Sequence, residues 1–496
     1  MIGRLSDAFQ LAWGLFYWNL RKTWFRLRHG HVPCPCQSPS DSGRAMETRC
    51  EPSLTLQRPA RFRHVCPLLR PDAEGRWRCS VDTPDVRPFW GRALVLIGLA
   101  LVCIYGVGTL GAWGLLRWRG YPLSYFAVAW PPAWTQFHLA QSRFFVAKAN
   151  RALARNDIEE ALMSLSVAYQ KDPQNYPLGR LFARLAQAGQ PALADRVYSQ
   201  LAHDHPAQRA ETYAAWYEAL LWRADFKSIT ALAKEALALD PNRGSAWLNA
   251  LIFALRREPD RQLVRELASS PTSPDARTVF SLELQTLESP VSAKSALLKP
   301  MAQNASAYLA FYRPKRLIEL GFAQDALGLL GRNNPLPGRD QLVLRFEAQT
   351  ALGWKTLIRG EVESLLANPL NPTTAELLIG YLIRHPDAEL LALTFDAFKQ
   401  QPQGKDEGTY RLWAGWLCAA GACGDFERFH QAGAQMKAIS GAEFRALKQV
   451  EGFFRGDNPS TRIEGYLPAM QPIPLEVTYA LLERYYRSRA PAKTLP

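Results

Sequence analysis

Missing from this 496-residue chain is every common loop signature of catalysis. It has no G-x4-G-K-[ST] phosphate cradle, no G-x-S-x-G nucleophile elbow, no H-E-x-x-H metal pair and no dinucleotide-binding glycine pattern behind a strand. Cysteine and histidine are sparse, with 8 of each, and beyond Cys103 only Cys418 and Cys423 carry thiols. Nucleotide, hydrolase and metalloprotease chemistry find no recognisable residues, so a protein that is not an enzyme and has no small-molecule substrate is expected. An excess of acid is also absent: 59 Lys+Arg face 45 Asp+Glu, a formal charge of +14.

Charge is missing altogether from residues 93–116, an apolar run that divides the chain. As a helix the run reaches roughly 36 Å at about 1.5 Å per residue, enough for a hydrocarbon core of about 30 Å. It lies far from Met1 with no small-residue cleavage pattern before it, and is predicted to be a retained membrane-crossing helix. Arg76, Arg78, Arg87 and Arg92 precede it, whereas only Arg117 and Arg119 follow closely. Residues 1–92 hold 15 Lys+Arg against 8 Asp+Glu, a net +7 that is half of the whole charge. A basic flank of this kind predicts a cytoplasmic N-terminus and attraction to anionic lipid rather than to nucleic acid. The expected location is therefore a cell membrane crossed once, with residues 120–496 outside the cytoplasm.

Residues 1–28 mix Phe9, Trp13, Phe16, Tyr17, Trp18, Trp24 and Phe25 with Arg21, Lys22, Arg26 and Arg28. Their uncharged part, residues 8–20, is too short to span and predicts an amphipathic helix lying in the membrane interface. Residues 29–92 then gather five of the eight cysteines: Cys34, Cys36, Cys50, Cys66 and Cys79, together with His31. Few apolar residues are present to build a core there, and four thiolate or imidazole ligands around zinc would supply folding energy instead. Cys34, Cys36, Cys66 and Cys79 form the candidate set, with Cys50 or His31 as substitutes. The spacing does not match the paired C-x2-C of zinc ribbons. Unliganded or redox-sensing thiols, an iron-sulfur centre and disulfides therefore stay open as alternatives.

A short proline-bearing linker, residues 117–134, leads into a stretch rich in Ala and Leu, residues 135–440. Its period is written in helix-ending prolines: Pro173, Pro206 and Pro241 are 33 and 35 residues apart. Twelve residues before each stands an apolar residue, with others four and seven further on: Ala161, Leu165 and Ala168; Ala194, Tyr198 and Leu201; Ile229, Ala233 and Ala236. These offsets resemble the second helix of the tetratricopeptide repeat (TPR). The first helices depart from that family, with Lys148-Ala149 and Trp216-Tyr217 where a Leu-Gly pair is usual. Beyond residue 243 the pairs degenerate but remain traceable: 245–255 with 260–268, 317–330 leading into 341–351, then 355–367, 374–384, 388–399, 410–420 and 426–439. Residues 441–496 are expected to close the open end with a last helix, 475–489.

The predicted fold is thus all-α, a TPR-like α-solenoid of stacked helical hairpins, plus one transmembrane helix and a small Cys-rich N-terminal segment. Stacking buries the apolar face of each pair and curls the array around a concave groove. The resemblance implies that first helices line that groove, which points to Arg143, Asn150, Arg180, Glu218 and Asn249 as contacts for a protein or peptide partner. Cys418 and Cys423, flanking a small-residue turn, are a candidate disulfide outside the cytoplasm, with buried free thiols in a tight helix contact as the equal alternative. The expected role is a membrane-anchored scaffold that recruits or assembles protein partners. A transmembrane sensor coupling the groove to the cysteine module, or an accessory subunit of an export machine, are the alternatives.

Overall fold

A computed structural model describes residues 2–28, 38–39, 46–47, 60, 63, 66, 68–75, 77–79, 87–239, 244–269, 274–299, 306–331, 336–402, 404–457, 462–470 and 473–489. Among them are 23 α-helices and two short antiparallel hairpins, β1 (Ser38–Pro39) with β2 (Met46–Glu47) and β3 (Leu69–Pro71) with β4 (Trp77–Cys79). The chain forms two compact units, residues 1–150 and 151–496.

In the first unit, α1 (Ile2–Leu27) packs on the start of α2 (Trp90–Trp118). Buried Asn19 organises the contact by accepting the Phe89 N–H at 2.7 Å, and Trp90 Nε1 donates to Thr23 Oγ1 at 2.8 Å. Leu15, Trp18, Cys66, Leu69 and Ala93 close into a small core beneath them. Phe9, Trp13 and Trp24 of α1 stay exposed, and Phe16, also exposed, meets the Trp90 ring of α2 edge-on at 6.0 Å. Helix α2 is, among the described residues, the one long and apolar enough by length and composition to cross a bilayer, and its Leu94, Val95, Val102 and Val107 face outward.

The segment after α2 is more structured than a linker. Helix α3 (Tyr125–Ala129), capped by Ser124, folds back along α2, and α4 (Thr135–Ala154) follows it.

The second unit is a stack of hairpins. Helix α5 (Ile158–Lys171) ends two residues before Pro173, and the pair α6 (Tyr176–Gly189) with α7 (Pro191–Asp204) ends two before Pro206. The pair α8 (Arg209–Trp222) with α9 (Phe226–Leu239) completes the clearest part of the array. All nine periodic apolar residues read from the sequence are buried. Gly179 permits the close approach: a Cβ there would stand 2.7 Å from side-chain carbons of both Tyr169 and Leu201.

Four later pairs continue the stack as α10 (Gly244–Arg257) and α11 (Arg261–Ser269), α14 (Ala307–Glu319) and α15 (Ala323–Leu329), α16 (Gly338–Ala351) and α17 (Lys355–Leu366), and α18 (Pro372–Arg384) and α19 (Ala388–Lys399). A further pair, α20 (Glu407–Cys423) and α21 (Phe426–Ser440), precedes the short α22 (Leu447–Arg455). The structure adds a pair the periodicity missed, α12 (Pro274–Glu288) and α13 (Pro290–Leu298), and divides residues 317–330 at Gly321. Pro274 and Pro290 begin helices here instead of ending them, since a proline at the first turn forfeits no helical hydrogen bond. First helices touch one another along much of the array, α6 on α8, then α12, α14, α16, α18 and α20 in succession, and so form a continuous inner layer. That is the TPR-like solenoid.

The final helix, α23 (Leu475–Arg489), does not stack after α22 as another turn. It lies against the inner layer, packing on α18 and also on α8, more than 250 residues earlier.

Candidate partner-binding groove

First helices present aromatic and charged side chains to α23, which is gripped along its length. Tyr479 pairs its hydroxyl with that of Tyr217 on α8 and meets the Phe253 ring of α10 edge-on at 4.8 Å. Tyr486 contacts the Phe226 ring at 5.5 Å, and the Arg257 guanidinium stands over the Tyr486 ring at 5.2 Å. From the far side, Gly415 of α20 lets Val477 close in: a Cβ added there would lie 3.3 Å from Val477 Cγ2 and 3.2 Å from Ile379. Arg484 donates to the carbonyls of Ala422 at 2.8 Å and Ile383 at 3.2 Å.

Ion pairs tie the first turn and the middle of this helix to its neighbours. Glu483 lies 3.8 Å from both Lys315 and Arg384, and Arg339 lies 3.7 Å from Glu476. Arg384 also donates to Glu347 at 2.7 Å, and His385 Nε2 lies at 2.7 Å from the other oxygen of that carboxylate. Burial alone would raise the Glu347 carboxyl, but Arg384 and His385 outweigh it and hold the group far below the usual carboxylate range.

The predicted contacts fall in three situations. Arg180 on α6 is exposed and paired with Glu211 of α8. Glu218, also on α8, is brought 3.9 Å from Arg411 of α20, and burial raises its carboxyl although Arg411 and Arg184 counter the shift. Asn249 on α10 accepts the Tyr308 hydroxyl at 3.0 Å. Arg143 and Asn150 are exposed on α4, within the other compact unit. Of the residues that hold α23, Tyr217 stood out in the sequence only as a departure from the usual Leu-Gly pair, while Phe253, Arg257, Arg384 and Gly415 gave no signal there beyond an aromatic or glycine on a first helix at 253 and 415.

The candidate disulfide does not form. Cys418 and Cys423 are free thiols on one continuous helix, α20, which turns only at left-handed Gly424. Positions five apart on a helix are turned by about 140°, so the two sulfurs diverge. Burial raises the Cys418 thiol to about 12 and the Cys423 thiol to about 11.

Of the candidate zinc ligands, Cys34, Cys36, Cys50 and His31 lie outside the described residues. Cys66 is buried in the small N-terminal core, with Lys22 Nζ at 3.5 Å from its sulfur. The β3–β4 register sets the Cys79 backbone opposite Leu69, three residues beyond Cys66. The hairpin therefore brings these two positions to one end, while the Lys22 ammonium is a poor neighbour for a dication. No group of three or more His, Cys, Asp or Glu suited to a metal is present among the described residues.

No family model matches the chain, and neither does any curated protein. Solved structures similar to it include the crystal structure of the APC/C hetero-tetramer Cut9-Hcn1, at 12% identity over 79% of this chain and 83% of that one, with a TM-score of 0.27. The crystal structure of the P58(IPK) TPR domain is similar at 13% identity over 71% of this chain and 99% of that one, with a TM-score of 0.19. Superpositions this loose carry no argument about a site, and the fold rests on the hairpin geometry itself.

Proposed function

We propose that this protein is a membrane-anchored helical-repeat scaffold that recruits protein partners at the cell envelope, with its N-terminus in the cytoplasm and its hairpin array outside. One observation carries the reading: the inner layer from α8 to α20 already holds an amphipathic helix, its own α23, through aromatic edges, guanidinium–carbonyl bonds and ion pairs. A surface built this way is suited to helices or extended segments of other chains. The exposed Arg180–Glu211 pair carries that surface on toward the start of the array, and Asn249 lies within it on α10. Helix α2 supports the anchor by its length and outward apolar side chains. In the cytoplasmic module, Cys34, Cys36, Cys66 and Cys79 are proposed to hold zinc, which requires the Lys22 ammonium to leave the Cys66 sulfur it now faces.

The test is purification of the full-length protein in mild detergent from its native membrane. A stoichiometric protein partner is expected, and Arg180→Glu should release it at unchanged thermal stability, since an exposed ion pair contributes only about 0–1 kcal/mol. Solitary protein under those conditions overturns the scaffold reading. Metal analysis of the same preparation with thiol counting should find one zinc and four protected cysteines, and freely reactive thiols without metal would remove the zinc assignment.

A further inference from the structure

Between Arg119 and Arg143 the chain carries no Asp, Glu, Lys or Arg, so residues 120–142 form a second uncharged stretch immediately after α2. The structure folds this stretch back along α2 instead of leading it away. Three polar side chains of α2, spaced four apart on one face, bind it in sequence: Trp113 Nε1 donates to the Leu123 carbonyl at 3.1 Å, Thr109 Oγ1 pairs with the Tyr125 hydroxyl at 3.0 Å, and the Tyr105 hydroxyl donates to the Ala129 carbonyl. Each rung steps about 6 Å along the helix, and Tyr105 lies about 18 Å from Arg117.

The chain then turns at residues 130–134 and climbs again. On the way up, Ala140 joins Leu123 and Ala127 in a small core, and the Phe144 ring packs at a tilt 4.7 Å from Tyr121, beside Gly120 at the end of α2. The first new charge, Arg143, is thus regained at the height where the charges of α2 stopped.

We propose that residues 120–142 re-enter the bilayer beside α2 as a hairpin whose outward face meets lipid acyl chains. The inference rests on the reading that α2 spans a membrane, and goes beyond it by making the anchor three-limbed. In hydrocarbon every backbone polar group needs a partner. Several are provided: Trp130 N–H closes the last turn of α3 on the Phe126 carbonyl, Ser124 caps its start, Trp134 Nε1 donates to the Val128 carbonyl at 3.2 Å, Tyr105 and Trp113 of α2 serve the Ala129 and Leu123 carbonyls, and Pro131 and Pro132 remove two N–H donors where the chain turns. The outward side chains fit the solvent proposed: Phe126 is 61%, Trp130 52% and Trp134 57% exposed, continuous with the apolar surface of α2. Gln136 and His138 are exposed on the rising limb, so contact with lipid should weaken along α4.

The test uses the unaltered full-length protein in phosphatidylcholine nanodiscs containing a lipid with a photoactivatable diazirine at mid-chain, and reads adducts by peptide mass spectrometry. Adducts on the 121–134 peptide within about threefold of those on α2 are expected, with far fewer when the diazirine sits in the headgroup. Labelling of α2 with none on residues 121–134 overturns the hairpin and leaves the span intact. Stronger headgroup than mid-chain labelling places the segment at the surface and also overturns it. Absence of adducts on α2 itself refutes the membrane reading instead.

Discussion

Replacing Tyr479 with alanine should loosen helices more than 220 residues away in sequence. The ring lies 4.8 Å from Phe253, and its hydroxyl pairs with that of Tyr217. Truncating a buried aromatic costs about 3–5 kcal/mol, and Tyr479 is half-buried, so the lower end of about 3 kcal/mol applies. Stranding the buried Tyr217 hydroxyl adds about 1 kcal/mol. Each 1.4 kcal/mol is about tenfold, so amide exchange in α8 and α10 should accelerate several-hundredfold or more where it proceeds through release of α23. Hydrogen exchange of the full-length protein in detergent, read by mass spectrometry, measures this directly. Tyr479→Phe keeps the ring contact and should accelerate the same peptides by about tenfold or less. In a simple nearest-neighbour array, damage to the last helix stays with the last hairpins. If Tyr479→Ala opened α18 and α20 while α8 and α10 kept their protection, the central placement of α23 would be refuted.

Glu347→Gln should cost about 3 kcal/mol at neutral pH by leaving buried Arg384 without its closest carboxylate. Because the folded carboxyl is held below its unfolded value of 4.5, its contribution is complete above that value and drains away as pH falls beneath it. Denaturation midpoints measured from pH 7 down to pH 3 should converge for wild type and variant, and parallel curves would contradict the assignment. Unreduced, denatured protein should alkylate at both Cys418 and Cys423, whereas native Cys418 should stay unreacted at pH 8; a mass showing them bridged would break the continuous α20. Gly415→Val should destabilise by about 1–3 kcal/mol through overpacking against Ile379 and Val477. Gly360→Ala, at an exposed site of α17 with nothing within 4 Å, should stabilise by about 0.5–1 kcal/mol in the same thermal melts.

Local chemistry was legible wherever it had a period or a punctuation mark. Ala161, Leu165 and Ala168 and their counterparts recur at fixed offsets from prolines, and a residue forced inward every helical turn leaves that trace whatever surrounds it. The uncharged run of α2 and the aromatic face of α1 are equally local, since length and composition define them. The pair α12–α13 was missed because its core is partly ionic. Glu283 of α12 is buried at 2.7 Å from Arg256 and 2.9 Å from Arg316, and such a residue reads as surface in any hydrophobic count.

The sequence alone determined that this chain builds amphipathic hairpins and one apolar helix, because burial of a face is encoded within a few turns. Which distant surface each face would meet was decided only in three dimensions. Helix α23 carries an apolar side that any groove could accept, and residues 120–142 look like a linker until Tyr105, Thr109 and Trp113 are seen to bind them. Both placements depend on contacts summed across segments that no local window brings together.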